Sequence, residues 1–200
     1  VVLGEELARA DAPRNALYQV ALYNAGPSIL HSGTDQQKAR FLPRLVRGEV
    51  WGAWGLTEAG AGSDAAGMRT TAARAGGSWV LTGAKTFITH GRIGGVMVVI
   101  AVTDRTKGHR GISAFIVEHG TPGMSAGKKE NKLGMRASDT SEVIFDQCRV
   151  PSDQLLGEEG QGFINTLQVL DGGRIGIAAL AVGLAQGAYE AALAYAKERR

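Results

Sequence analysis

Trp54-Gly55-Leu56-Thr57-Glu58-Ala59-Gly60-Ala61-Gly62-Ser63-Asp64 decides how this chain is read. Its apolar start reads as the end of a strand, and it runs into a loop in which Gly60 and Gly62 precede Ser63 and Asp64. Glycines let a backbone approach a ligand closely and turn N–H groups toward an anion. The Ser63 hydroxyl suits a phosphate oxygen, and the Thr57 hydroxyl, at the strand end, both donates and accepts. Such a loop can cradle a pyrophosphate while the strand beneath it edges a planar ring; the same residues also make an ordinary surface turn. The G-x-G-x-x-G spacing is absent and no Gly-Lys-Ser/Thr closes the loop, so it is neither a dinucleotide fingerprint nor a P-loop.

Outward from this loop, residues 50–157 read as short strands. Residues 97–102 and 112–117 are β-branched or apolar runs bounded by glycine and charge. Residues 69–74 and 78–81 flank Gly76-Gly77, a hairpin signal, and residues 86–89 and 142–145 add further strands. Several short strands with glycine-rich turns predict a small barrel or sandwich. Before them, Leu3, Leu7 and Ala10, then Leu17, Ala21 and Leu22, recur at helical spacing. Gly26-Pro27 is expected to break that run, and Thr34-Asp35 to cap a helix from Gln36 to about Arg47 that ends at Gly48. After them the spacing is helical again, with Gly172, Gly173, Gly176, Gly183 and Gly187 each costing about 1 kcal/mol of helix propensity. So many glycines predict close approach of a neighbouring backbone or a ligand.

Composition narrows the classes. The 200 residues are 44% hydrophobic and 20% charged, which fits a folded globular chain. A net charge of +3 with scattered basic residues gives no nucleic-acid footprint. Cys148 is the sole cysteine and points to a reducing compartment; His31, His90, His109 and His119 show no metal-ligand spacing. The apolar stretch 175–185 is short for a membrane span, with Gln186 and Glu190 just after it. The chain opens on Val1 in helical spacing and ends on Arg199-Arg200 without a stop signal, so it reads as an internal fragment.

The loop itself resembles the first signature of the acyl-CoA dehydrogenase family. Four further stretches are similar to that family in the same order: Gly33 through Phe41 to Pro43 and Gly48; Gly83-Ala84-Lys85-Thr86-Phe87-Ile88-Thr89; Lys132-Leu133-Gly134-Met135-Arg136 with Ser138 and Thr140; and Leu155-Leu156-Gly157 with Gly160, Gly162 and Phe163, then Asp171-Gly172-Gly173-Arg174. The resemblance covers essentially the whole chain. It implies an α+β, acyl-CoA dehydrogenase-like fold in which helices flank a central small β-barrel domain. Residues 1–50 would end the N-terminal helical domain, 51–157 form the barrel, and 158–200 begin a C-terminal four-helix domain, both helical domains being truncated. Ala59 stands where the family usually has proline, and Phe87 where tryptophan is commoner.

The same resemblance implies FAD as cofactor, acyl-CoA as substrate, an electron-transfer flavoprotein as partner, and a homo-oligomer, dimer or tetramer. Trp54, Leu56 and Thr57 would line the flavin ring, with Gly62 and Ser63 near the pyrophosphate and Phe87, Ile88 and Thr89 as a second wall. Read without the family, Phe87 and Ile88 are strand core. Ser63, Asp171, Gly172, Gly173 and Arg174 would contact the CoA substrate, although Asp171 and Arg174 are equally an i,i+3 ion pair. Phe163, Leu167 and Leu170 share a face that would line the acyl channel or simply pack. Arg199 would touch FAD held mainly by a neighbouring subunit, or be a solvated helix-end arginine. The family reaction removes an α-proton with a glutamate and passes hydride to flavin. One branch places that glutamate at the position held here by Gly173, which has no side chain. The base is therefore expected beyond Arg200, and the 200-residue chain is expected to be inactive. An acyl-CoA oxidase and a non-catalytic FAD/CoA-binding protein of the same fold are the alternatives. The expected compartment is the cytoplasm in a bacterium or the mitochondrial matrix in a eukaryote.

Overall fold

The computed structural model describes residues 20–199, so the helical spacing of Leu3, Leu7, Ala10 and Leu17 lies outside the described residues. A π-helical turn, Ala21–Ala25, runs directly into α1 (Gly26–Ser32). Pro27 therefore does not break the helix as expected. The helix is continuous through it because the π turn before it, closed by Gly26 N–H donating to Ala21 O, widens the coil and takes up the proline ring. Helix α2 (Asp35–Val46) begins as the sequence predicts: Thr34 and Gln37 form a reciprocal capping box. The chain leaves α2 through Gly48 in the left-handed region (φ 68°).

Eight strands follow: β1 (Trp51–Gly55), β2 (Thr71–Ala75), β3 (Ser78–Thr89), β4 (Gly94–Val102), β5 (Ile112–Glu118), β6 (Met124–Lys129), β7 (Thr140–Pro151) and β8 (Leu155–Leu156). They form one mixed sheet ordered β6-β7-β3-β2-β4-β5-β8, with β1 also paired to β4. The two strands expected at 78–81 and 86–89 are one. Ladder irregularities between Leu81 and Gly83, and between Lys85 and Ile88, interrupt its alternation. Strand β4 is buried on both faces. Val96, Val98, Ile100 and Val102 join a core with Ala21, Ala25, Ile29, Phe41 and Leu45 of the helices. Met97, Val99 and Ala101 face a second core with Trp79, Leu81, Phe115, Val143, Phe145 and Val150. Burial on both faces is why β4 reads as a continuous apolar run.

The Trp79 and Phe115 rings meet edge-on at 5.2 Å, although β2 and β4 lie between their strands in the sheet. That contact requires the sheet to curl around the second core, which gives the small barrel of an α+β fold. Helix α3 (Gly162–Glu198) crosses the outer face, where Phe163 and Leu170 pack on the helical core. Beyond Leu170 the described residues of the helix are mostly exposed, including Ile175, Ile177, Val182, Leu184, Tyr189 and Tyr195. The glycines inside it do not interrupt it, so by length and composition it is apolar enough to cross a bilayer, unlike the short stretch expected at 175–185. Gly172, Gly173, Gly183 and Gly187 face open space; the expected close approach occurs instead at Gly162, against the β5 backbone.

Candidate functional site

The quoted loop leaves the sheet where two strands share one slot. Strand β1 pairs with β4 in parallel and, just past its end, touches β3 through Thr86 N–H donating to Thr57 O (2.9 Å). Strand β2 takes over beside β4 at Thr71↔Val102 and pairs with β3 along its length. The segment between Leu56 and Thr70 is therefore an excursion from a gap in an otherwise continuous ladder. It turns at once: Glu58 and Ala61 exchange backbone hydrogen bonds of 3.1 Å each, with Ala59 and Gly60 at the tip. Ala59 thus occupies the family's proline position in a turn already closed by backbone bonds. Gly62, Ser63 and Asp64 follow, exposed, and neither Gly60 nor Gly62 would meet anything within 4 Å if it carried a Cβ.

Below the tip lies a buried ion pair. The Lys85 ammonium, 0% exposed, donates to Glu58 Oε1 (2.7 Å) and to Leu56 O (3.1 Å). The Glu58 carboxylate also accepts from the backbone N–H of Arg69 (2.7 Å) and Thr70 (3.0 Å). Burial alone would push the Glu58 carboxyl up. The hydrogen bonds from Lys85, Arg69 and Thr70, with the lysine charge, outweigh burial and hold it below the ordinary carboxylate range. Burial pushes the Lys85 ammonium below the ordinary lysine range, against the opposing pull of Glu58. With both oxygens occupied, Glu58 is a structural anion rather than a free base.

The second wall comes from the β3 bulge. Phe87 has φ 58°, uncommon for an aromatic residue, and its ring is turned outward, 64% exposed. Ile88, the next residue, points the other way into the barrel core at 2% exposure, so only its backbone remains for a ligand. Thr89 is half-buried and pairs with Thr140. Leu56 is buried in the helical core, and Trp54 packs half-buried against it with its indole Nε1 buried and unpaired. The Thr86 Oγ1 is likewise buried without a partner. These orphaned polar atoms, the outward aromatic ring and the open glycine edge fit a flat, polar-edged cofactor carrying an anionic arm.

The Thr86–Thr57 bond brings the end of β1, with Trp54, Leu56 and Thr57, beside the stretch of β3 that carries Phe87 and Thr89, and Gly62 and Ser63 follow on the loop. The remaining candidates lie on α3. Asp171 and Arg174 form an exposed i,i+3 pair at 3.8 Å. Arg199, exposed, donates its N–H to Tyr195 O at the helix end. Two other parts of the sequence motifs prove structural. Lys132 closes the β6–β7 loop by donating to Ser138 O and Thr140 Oγ1, each at 2.8 Å. His90 was not singled out by sequence for any role; it is fully buried in the left-handed region (φ 61°), with Nδ1 2.9 Å from Gly52 O. Its N–H donates to Asp139 O, so it joins the end of β3 to both β1 and the start of β7.

Three models of one family match the chain: acyl-CoA dehydrogenase N-terminal domain over residues 1–49, middle domain over 53–148 and C-terminal domain over 160–200. The chain is 44% identical over 200 residues to the short-chain specific acyl-CoA dehydrogenase of Clostridium acetobutylicum, covering all of this chain and 53% of that protein. It is 47% identical over 197 residues to the mitochondrial short-chain specific enzyme of Mus musculus, covering 98% of this chain and 47% of the other. Among solved structures, the butyryl-CoA dehydrogenase of Megasphaera elsdenii superposes with a TM-score of 0.81 at 47% identity, over 89% of this chain and 46% of that one. A chain from a structure of the electron transferring flavoprotein of Acidaminococcus fermentans gives 0.80 at 49% identity, over 88% and 46%. A glutaryl-CoA dehydrogenase of Mycobacterium smegmatis in complex with FADH2 gives 0.77 at 41%, over 86% and 43%. The chain spans about half the length of the curated relatives it matches. Ordered motifs, curled sheet and sustained identity agree: the chain belongs to the acyl-CoA dehydrogenase family.

Proposed function

We propose that this protein is an FAD-dependent enzyme that oxidises the Cα–Cβ bond of a short-chain acyl-CoA to the trans-2-enoyl-CoA and hands the electrons to an electron-transfer flavoprotein. The observation that carries this reading is the half-built wall at the β1–β3 edge, with its unpaired Trp54 indole N–H and its outward Phe87 ring. Similarity to butyryl-CoA and short-chain enzymes supports the substrate class, and similarity to a chain from a flavoprotein structure supports the acceptor. When bound, FAD supplies the hydride acceptor.

The chain's own residues bind and orient. Trp54, the Leu56 backbone and Thr57 form one wall for the ring system, and Phe87, the Ile88 backbone and Thr89 form the other. The open backbone at Gly62 and the Ser63 hydroxyl receive the pyrophosphate arm. Ser63, Asp171, Gly172, Gly173 and Arg174 hold the CoA part of the substrate, and Arg199 reaches a cofactor in a neighbouring subunit of a homo-oligomer. An α-proton is weakly acidic, so its removal needs a desolvated carboxylate. The resemblance gives two places for that base, the position held here by Gly173, which offers none, and a glutamate downstream of Arg200, where we place it; Glu58 has both oxygens engaged. We read α3 as a packing helix of a protein domain, since Asp171, Arg174, Gln186 and Glu190 punctuate it. For the compartment we propose the cytoplasm of a bacterium or the matrix of a mitochondrion, as the relatives' names divide. The division at residues 50 and 157 is proposed on the same footing.

The test is expression of the full-length gene product with FAD and assay against a ladder of straight-chain acyl-CoAs with a dye acceptor. Turnover is expected to peak at butyryl-CoA. Loss of flavin on gel filtration, or rapid peroxide formation in air, would overturn the dehydrogenase reading.

A further inference from the structure

The Lys85–Glu58 pair does something that packing alone cannot. An ion pair this deeply buried gains little stability over two apolar side chains of similar volume. What it supplies instead is hydrogen bonds to backbone, and these fall at the two ends of one segment. Lys85 Nζ holds Leu56 O, at the start of the excursion, and Glu58 Oε1, two residues on. Glu58 in turn holds the N–H groups of Arg69 and Thr70, where the chain rejoins the sheet. Thr57 lies between the two points that Lys85 grips, and its carbonyl is fixed to β3 by the Thr86 N–H. A cavity of about 270 Å³ opens beside the pair, lined by Glu58, Gly60, Arg69, Thr86 and Glu142, so the loop is not wedged in place by close packing on that side.

We infer that Lys85 and Glu58 are positioning residues: together they clamp the two ends of the 56–70 loop to β3 and so set the height of the Thr57–Ser63 backbone over the binding wall. This rests on the flavin reading for what the loop binds, but the clamp itself is testable without cofactor. In a purely stabilising role, swapping both residues for apolar ones would leave the loop as it was. In a positioning role, the swap keeps the fold and frees the loop.

The experiment uses the full-length protein, wild type and Lys85→Met/Glu58→Leu, with Glu58→Gln as a second variant. Apo protein is followed by hydrogen–deuterium exchange, and FAD affinity by fluorescence titration. The double variant is expected to melt within a few degrees of wild type. Its peptides spanning 56–70 should exchange at least tenfold faster while those of β4 and β5 are unchanged, and its FAD dissociation constant should rise at least tenfold. If the double variant does not fold, Glu58→Gln carries the test. It keeps the shape but leaves the buried Lys85 ammonium without its counter-charge, and a rise in exchange confined to 56–70 and at least as large is expected. Exchange that is unchanged over 56–70, or raised equally over the whole barrel, overturns the clamp. A wild type that binds no FAD, with the loop-specific rise in exchange still seen in the variant, would sink the flavin reading and leave the clamp standing.

Discussion

Substituting Gly162 by alanine sets two effects of similar size against each other. Gly162 opens α3 and lies directly on β5. A Cβ built there comes within 2.6 Å of Ala114 N and Ser113 Cα, and closer still to the Ser113 carbonyl carbon. All three are backbone atoms, so no side chain can rotate away. Restoring ordinary contact at 3.4 Å means lifting the first turn of α3 off the sheet by roughly 1 Å. Overpacking of this kind costs about 1–3 kcal/mol. Against it stands a helix-propensity gain of at most about 1 kcal/mol, less in a first turn. The overpacking term wins, by about 1–2 kcal/mol, or a drop of roughly 2–8 °C in Tm for a chain this size. Because Phe163 rides on the same turn and Leu170 about two turns on, Asp171 and Arg174 shift with them, and in the full-length protein KM for acyl-CoA should rise more than kcat falls. Gly187→Ala is the control. In the 200-residue chain it meets nothing within 4 Å, so only the propensity gain applies and the melting point of that chain should hold or rise. Calorimetry of both variants decides: Gly162→Ala melting at or above wild type, or below it by less than Gly187→Ala, would mean that α3 accommodates a Cβ against β5 without cost.

Four further outcomes follow from the geometry. The Cys148 thiol is fully buried and pushed up to about 11 by burial, so an aromatic disulfide reagent should label no Cys148 in the native state and one equivalent after denaturation. Glu58 is held below its unfolded pKa, so the stability it contributes is present above the ordinary carboxylate range and lost as pH falls through its lowered value; Glu58→Gln should flatten the acid limb of a Tm-versus-pH curve. Thr34→Ala removes one half of the capping box and should cost about 1 kcal/mol, read by chemical denaturation. The 200-residue chain, with glycine at position 173, should form no crotonyl-CoA from butyryl-CoA.

Much of this was legible because it depends on local chemistry. The Gly76-Gly77 hairpin, the Thr34 cap and the apolar run at 97–102 that became β4 each follow from a few neighbouring residues. Where the reading failed, a nonlocal adjustment intervened. Bulges split β3 into two apparent strands, and the second of them sends Phe87 outward and Ile88 inward, which alternation from either side would misplace. Strand β6 has mostly exposed residues and no apolar alternation, so only its pairing with β7 reveals it. Pro27 looks like a break until the π turn before it is seen. In the site, the loop and its hydroxyls stood out, but Lys85 did not. A lysine in a strand reads as solvent-facing until the fold brings a carboxylate from 27 positions away against it.

The two-sided burial of β4 and β5 bears on how the protein is made. Their outer face is covered by Ala25, Ile29, Phe41 and Leu45 from one side of the sequence and by Phe163 and Leu170 from the other. A ribosome delivers the helices first, the sheet second and the covering turn of α3 last. Until Leu170 has cleared the exit tunnel, the emerging β4–β5 hairpin has only the earlier helices to cover its outer strip of valine and isoleucine. Closure then joins segments more than a hundred residues apart, a slow kind of contact to form. The nascent protein thus passes through a window in which its most hydrophobic strands are its least protected, and holdase chaperones should bind it there most strongly.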